Sequence, residues 1–124
     1  MASTTGHTVK AFDDDLDELR ALISQMGGLA EAAIADALQA LARKDTDLAL
    51  RVIDGDKRID QLEVDVEKLA VRLIALRAPM ADDLREVVSA LKTAGVIERI
   101  GDYAKNIAKR VAIFADANPI APMT

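Results

Sequence analysis

Apolar residues recur along this chain at alternating intervals of four and three, in three long blocks. The first block, from about Val9 to Lys44, carries Phe12, Leu16, Leu19, Ile23, Met26, Ala30, Ala33, Ala37 and Ala40 on one stripe. This is the heptad rhythm of helices that pack at a shallow angle. Leu22, Leu29, Leu38 and Leu41 widen the stripe, as a helix with two neighbours requires. Gly27 and Gly28 fall in mid-block. Glycine costs about 1 kcal/mol in a helix interior, so a bend or a close helix approach is expected there.

Asp45-Thr46-Asp47 breaks the stripe and offers side chains that can cap a helix start. A second helix is predicted from there to about Arg77, with Leu48, Val52, Ile59, Leu62, Val66, Leu69, Leu73 and Leu76 inward and Gly55 filling one core slot. Ala78-Pro79 marks the next turn, because proline suits the first turn of a helix and not its interior. Asp82 and Asp83 then fall where a helix dipole favours negative charge. The third helix runs to about Ala115 on Val87, Ala90, Ala94, Ile97, Ile100, Ala104, Ile107, Val111 and Phe114. Short turns between long helices make neighbours antiparallel. The pattern therefore predicts an all-α, up-down-up three-helix bundle over residues 9–116. A flexible arm at 1–8 and a proline-bearing linker at 117–124 are expected to flank it.

Composition agrees with helices. Hydrophobic residues make up 51% of the 124 residues but aromatics only 2%, so the core must be Leu, Ile, Val, Met and Ala rather than the aromatic and β-branched mixture of sheets. The length suits one domain. With no cysteine, disulfides and thiolate metal sites are excluded. A net charge of −5 argues against nucleic acid, whose phosphates need a basic face. The longest uncharged stretch, Ala21 to Ala30, is too short for a bilayer, which takes about 20 residues. The first eight residues lack the basic and apolar regions of a signal peptide. A soluble cytoplasmic protein is the expectation.

The second helix carries another pattern beside its core stripe. Asp56, Asp60, Glu63 and Glu67 are spaced four, three and four, on one side of the helix. The third helix carries Glu98 and Asp102, with Asn106 one turn on and Gly95 and Gly101 nearby, where another backbone or a ligand can approach. With the turn centred near Met80 and a rise of about 1.5 Å per residue, Asp60 and Glu98 fall within roughly 3 Å of one height. Asp56 and Asp102 follow one turn along. Like charges four apart destabilise a helix by about 0.2–0.5 kcal/mol, and bringing two such pairs together adds to that; a bound cation reverses the sign. Oxygen-only ligands suit Mg, Ca, Mn or ferric iron, whereas zinc usually takes His or Cys. The competing reading is a solvated acidic face, with Lys57, Arg58, Arg99 and Lys105 pairing with the acids.

Other chemistry is poorly supported. His7, the sole histidine, lies in the expected arm and not in mid-helix, where a phosphotransfer domain needs it. No histidine is placed for a Glu-x-x-His di-iron site, nor as a base for Ser24 or Ser89. Met26 and Met80 read as core and turn filler. The chain is not expected to be an enzyme.

Glu98-Arg-Ile-Gly-Asp102-Tyr-Ala-Lys-Asn106-Ile-Ala resembles the third-helix signature of the PhoU family. Ala78-Pro-Met-Ala-Asp-Asp-Leu-Arg85 is similar to the turn before that helix, and Asp56-Lys-Arg-Ile-Asp60 to the family's second-helix acidic motif. The resemblance covers about residues 9 to 116. It implies a cytoplasmic negative regulator of phosphate uptake and of the phosphate-starvation response. The implied partners are the ATPase subunit of a phosphate ABC transporter and a sensor histidine kinase, with the membrane reached only through them. It also implies an iron or zinc cluster on Asp56, Asp60, Glu98 and Asp102, where the donor chemistry alone would also take Mn or Mg; Glu63 and Asn106 are placed as additional or supporting ligands. Family members usually hold two such repeats. This chain, with one, is expected to be half of a longer protein or a form that pairs as a homodimer. The alternative function is a structural or oligomerisation bundle whose acidic face binds no metal.

Overall fold

A computed structural model describes the backbone of residues 2–116 and the side chains of residues 9–115. It contains three helices: α1 (Ala2–Arg43), α2 (Thr46–Arg77) and α3 (Asp82–Asp116). Each packs against both others, so the chain forms the expected three-helix bundle, with no strand among the described residues. None of these helices is long and apolar enough to cross a membrane.

The element ends follow local chemistry. The Asp45 side chain accepts a hydrogen bond from the Leu48 N–H at 3.0 Å, capping α2. Ala78 closes α2 in a left-handed conformation at φ 46°, its N–H donating to the Ile74 carbonyl. Asp82 and Asp83 occupy the first turn of α3. At the other end of the chain the helix reaches further than the expected arm allows, since residues 2–8 continue α1. No proline interrupts them, and extending a formed helix costs far less than starting one. The linker expected at 117–124 lies outside the described residues.

The core has two parts. The larger joins Leu16, Leu19, Met26, Ile59, Leu62, Val66, Leu73 and Val87. The smaller is built mainly of alanine: Ala37, Ala40, Ala49, Ala104 and Ala108, with Val52 and Val111. Alanines let the helices approach closely near α1's C-terminal end. Most of the expected stripe positions are inward, but six are not: Leu38, Leu41, Leu76 and Phe114 are at least half exposed, and Gly55 and Ile100 are exposed as well. They lie on flanks or near helix ends, where no third helix covers them. α3 keeps most of its expected stripe, but in mid-helix Gly101 takes the core slot expected of Ile100, and Ala108 is buried beside the half-buried Ile107.

Gly27 and Gly28 do not break α1. A Cβ at Gly27 would meet Ile97 at an ordinary 3.9 Å, and one at Gly28 would meet nothing within 4 Å. Gly28→Ala therefore removes the flexibility cost without a clash. It should stabilise the protein by about 0.5–1 kcal/mol, read as a higher midpoint in urea unfolding.

Candidate metal centre

The junction between the two core clusters is polar. Val52 belongs to the alanine-rich cluster and Ile59 to the larger one; between them on α2 lies Asp56. From Val52 to Ile59 is one heptad, and either residue 55 or residue 56 completes the rhythm. The hydrophobic pattern predicts Gly55 in that slot, but Gly55 is exposed and Asp56 takes it, at 3% exposure. Among the described residues, Asp56 is the one charged side chain that is buried.

Gly101 makes room for it. A Cβ at position 101 would lie 3.1 Å from Asp56 Oδ1 and 3.2 Å from Ile59 Cδ1. The close approach expected at Gly101 is thus used by α2's own side chains, while Gly95 has nothing within 4 Å of a Cβ position. Gly101→Val would press a branched side chain into both neighbours. Overpacking of this kind costs about 1–3 kcal/mol. The expected result is a lower unfolding midpoint and weaker cation binding together, measured by melts with and without Mn²⁺.

Asp56, Asp60 and Asp102 each bring an oxygen within 4.8 Å of the others. The antiparallel register deduced from the turn therefore does bring the acidic motifs of α2 and α3 together. Neither carboxylate oxygen of Asp56 has a hydrogen-bond partner. Lys105 Nζ stands 3.6 Å from Asp56 Oδ2, an ion pair just beyond hydrogen-bonding range. Burial raises the Asp56 pKa, and the charge of Asp60 raises it further; Lys105 pulls it back and Asp102 adds a smaller increase.

Glu98 lies outside the converging trio but shares its field. Its pKa rises to about 7, first through desolvation, then through hydrogen bonding and repulsion with Asp102, then through Glu63 and Asp60. Glu63 is raised as well, by desolvation and then by Glu67, Asp60 and Asp102. Asn106 is exposed, one turn beyond Asp102 on α3. Of the interleaved cations, Lys105 joins the cluster, whereas Lys57 pairs with Asp54 at 3.4 Å on the exposed face.

The donor chemistry fits a hard cation. Three carboxylates from two helices converge, one of them buried without a hydrogen bond and seated against Gly101, where a Cβ would crowd it. Buried polar groups in native proteins are nearly always hydrogen-bonded; Asp56, held only by its ion pair with Lys105, is a ready ligand.

A family model described as "PhoU domain" matches residues 23–111. The chain belongs to the PhoU family. It is 54% identical over 122 residues to the phosphate-specific transport system accessory protein PhoU homolog of Zymomonas mobilis, covering 98% of this chain and 52% of the relative. The corresponding homolog of Caulobacter vibrioides is 49% identical over 120 residues, covering 97% and 52%. The crystal structure of PhoU from Pseudomonas aeruginosa superposes with a TM-score of 0.83 at 36% identity, over 86% of this chain and 51% of that one. The chain thus spans about half the length of these relatives, and the site sits within the part that matches the family.

Proposed function

We propose that this chain is a three-helix unit of a cytoplasmic regulator of phosphate uptake and phosphate-starvation signalling. It acts by binding the ATPase subunit of a phosphate ABC transporter and a sensor histidine kinase. Its acidic cluster holds a hard cation or small cluster: Mn, Mg or iron suit the oxygen-only donors, and zinc suits them less well. Asp56, Asp60 and Asp102 supply the ligands, with Glu98 completing the set and Glu63 and Asn106 at its margin. A bound cation supplies positive charge that draws α2 and α3 together at one level. The observation that carries this reading is Asp56, a carboxylate buried at the meeting of both acidic motifs with no hydrogen-bond partner. A solvated acidic face accounts for the exposed Asp60 but not for Asp56.

The function is tested in cells whose full-length gene carries Asp56→Asn and Asp102→Asn. Phosphate uptake should stay high in phosphate-rich medium, where the wild type restrains it. Normal restraint, with the variant present at wild-type abundance, would contradict the reading.

The bundle also leaves apolar surface uncovered. Val96, Ile100, Tyr103 and Phe114 are all more than a third exposed along α3, at spacings of four, three and eleven that keep them near one flank. Such a surface marks an interface. In the family's two-repeat arrangement a sister unit would cover it; for this chain alone a second copy serves, giving a homodimer. Light scattering at micromolar concentration should find a self-associated species. A strictly monomeric species at every concentration would count against it.

A further inference from the structure

Lys105 follows Asp102 by three residues on α3, and its ammonium reaches towards α2 to stand 3.6 Å from Asp56 Oδ2. The lysine is 31% exposed while the aspartate is 3% exposed. Its head is therefore in the cluster, yet a route to water is open to it. An ammonium on a flexible four-carbon stem is a mobile point charge that donates but cannot accept. It faces Asp56, with Asp60 and Asp102 converging on the same spot and Glu63 and Glu98 adding their charge at the margin. One ammonium cannot balance three carboxylates, so the site keeps a net pull on cations.

A divalent ion held by Asp56 would bind its carboxylate directly, as hard cations bind oxygen ligands. An ammonium left beside the same carboxylate would repel it at short range. The two occupants exclude each other on charge. This inference rests on the cation reading above. We propose that Lys105 is a tethered competitor for the cation: its ammonium holds Asp56 while the site is free of metal, and turns out to solvent when a divalent ion enters. The exchange filters by charge. A monovalent ion replaces an equal charge and gains little, whereas a divalent or trivalent ion gains from all three carboxylates. It also keeps a positive group on Asp56 in both states.

Calorimetric titration of the full chain with Mn²⁺ tests this on wild type, Lys105→Met and Lys105→Arg. Methionine keeps most of the stem and removes the charge, so K105M should bind Mn²⁺ about ten-fold tighter or more, a change of about 1.4 kcal/mol. K105R keeps the charge and should stay close to the wild type. K105M binding no tighter than wild type, while both bind, overturns the inference and leaves the cation site standing. K105R binding as tightly as K105M also overturns it, since shape rather than charge would then be at work. No Mn²⁺ uptake by any of the three overturns the cation reading and this inference with it.

A second measurement needs no variant. Wild-type protein titrated with Mg²⁺ is followed by nitrogen NMR of the lysine ammonium groups and carbon NMR of the carboxylates. The Lys105 signal should move towards those of exposed lysines as the Asp56 carboxylate responds. An unmoved Lys105 signal beside a shifting Asp56 contradicts the exchange.

Discussion

Replacing Asp56 with asparagine should raise the melting temperature of the protein in chelator by several degrees and remove most of the rise that Mn²⁺ gives the wild type. The substitution keeps the shape that Gly101 and Ile59 enclose and deletes the charge. In the wild type that charge is buried without a hydrogen bond and faces Asp60 and Asp102. An asparagine amide can donate to either neighbour. Breaking a buried ion pair normally strands the remaining charge at a large cost, but Lys105 is 31% exposed and can turn to water. Relief of an unmet buried group is worth about 1 kcal/mol or more, or about 3–6 °C for a domain of this size. Loss of a charged ligand should weaken Mn²⁺ binding by about a hundred-fold, since each factor of ten is about 1.4 kcal/mol. A lower melting temperature in chelator would mean that the pair with Lys105 outweighs the repulsion.

Acid should stabilise the metal-free protein over a range where most proteins show the opposite trend. Glu98 is shifted up from an ordinary 4.5 to about 7, and Asp56 and Glu63 move in the same direction. Each binds its proton more tightly in the folded chain than in the unfolded one. Between the ordinary carboxylate range and about 7 the folded state therefore holds the extra protons, so stability falls as pH rises through that interval and levels off above it. Melts in chelator should give a higher midpoint at about pH 5 than at about pH 8. Glu98→Gln should remove much of this slope. Mn²⁺ should act the other way, because its ligands must be deprotonated, and its stabilisation should grow with pH. A midpoint in chelator that climbs steadily from about pH 5 to about pH 8 would contradict the coupling of these carboxylates.

The helices were legible because four-and-three spacing over some thirty residues leaves little choice of period, and because Asp45, Pro79 and the Asp82–Asp83 pair punctuate it. The acidic pairing was legible for a related reason: once two long helices are joined by a short turn, the register follows from counting residues to the turn. What the pattern could not resolve was rotation. Positions 55 and 56, and again 100 and 101, both complete a heptad, and hydrophobicity favours a glycine over an aspartate and an isoleucine over a glycine. Packing decided otherwise. Gly101 allows α3 to come close to α2, and the carboxylate of Asp56 fills the space that results. An apolar count penalises a buried aspartate, so a residue that breaks the core pattern in order to serve the site is the one it misplaces. Lys105 was visible as one of four interleaved cations, but only side-chain geometry separates it from Lys57, which turns away to Asp54.

A cation site and a solvated acidic face differ in what one surface substitution does. Thermal melts of the wild type and Asp60→Asn, each in chelator and each with Mn²⁺, separate the two most directly. Asp60 is exposed, so its replacement leaves the core intact and alters only the charge facing Asp56 and Asp102. A cation site gives two effects of opposite sign in one variant: D60N melts above the wild type in chelator, because repulsion is relieved, and gains less from Mn²⁺, because a ligand is lost. Coincident melts in chelator, within the roughly 0.5 kcal/mol typical of surface changes, with neither protein responding to Mn²⁺, would contradict a cation site.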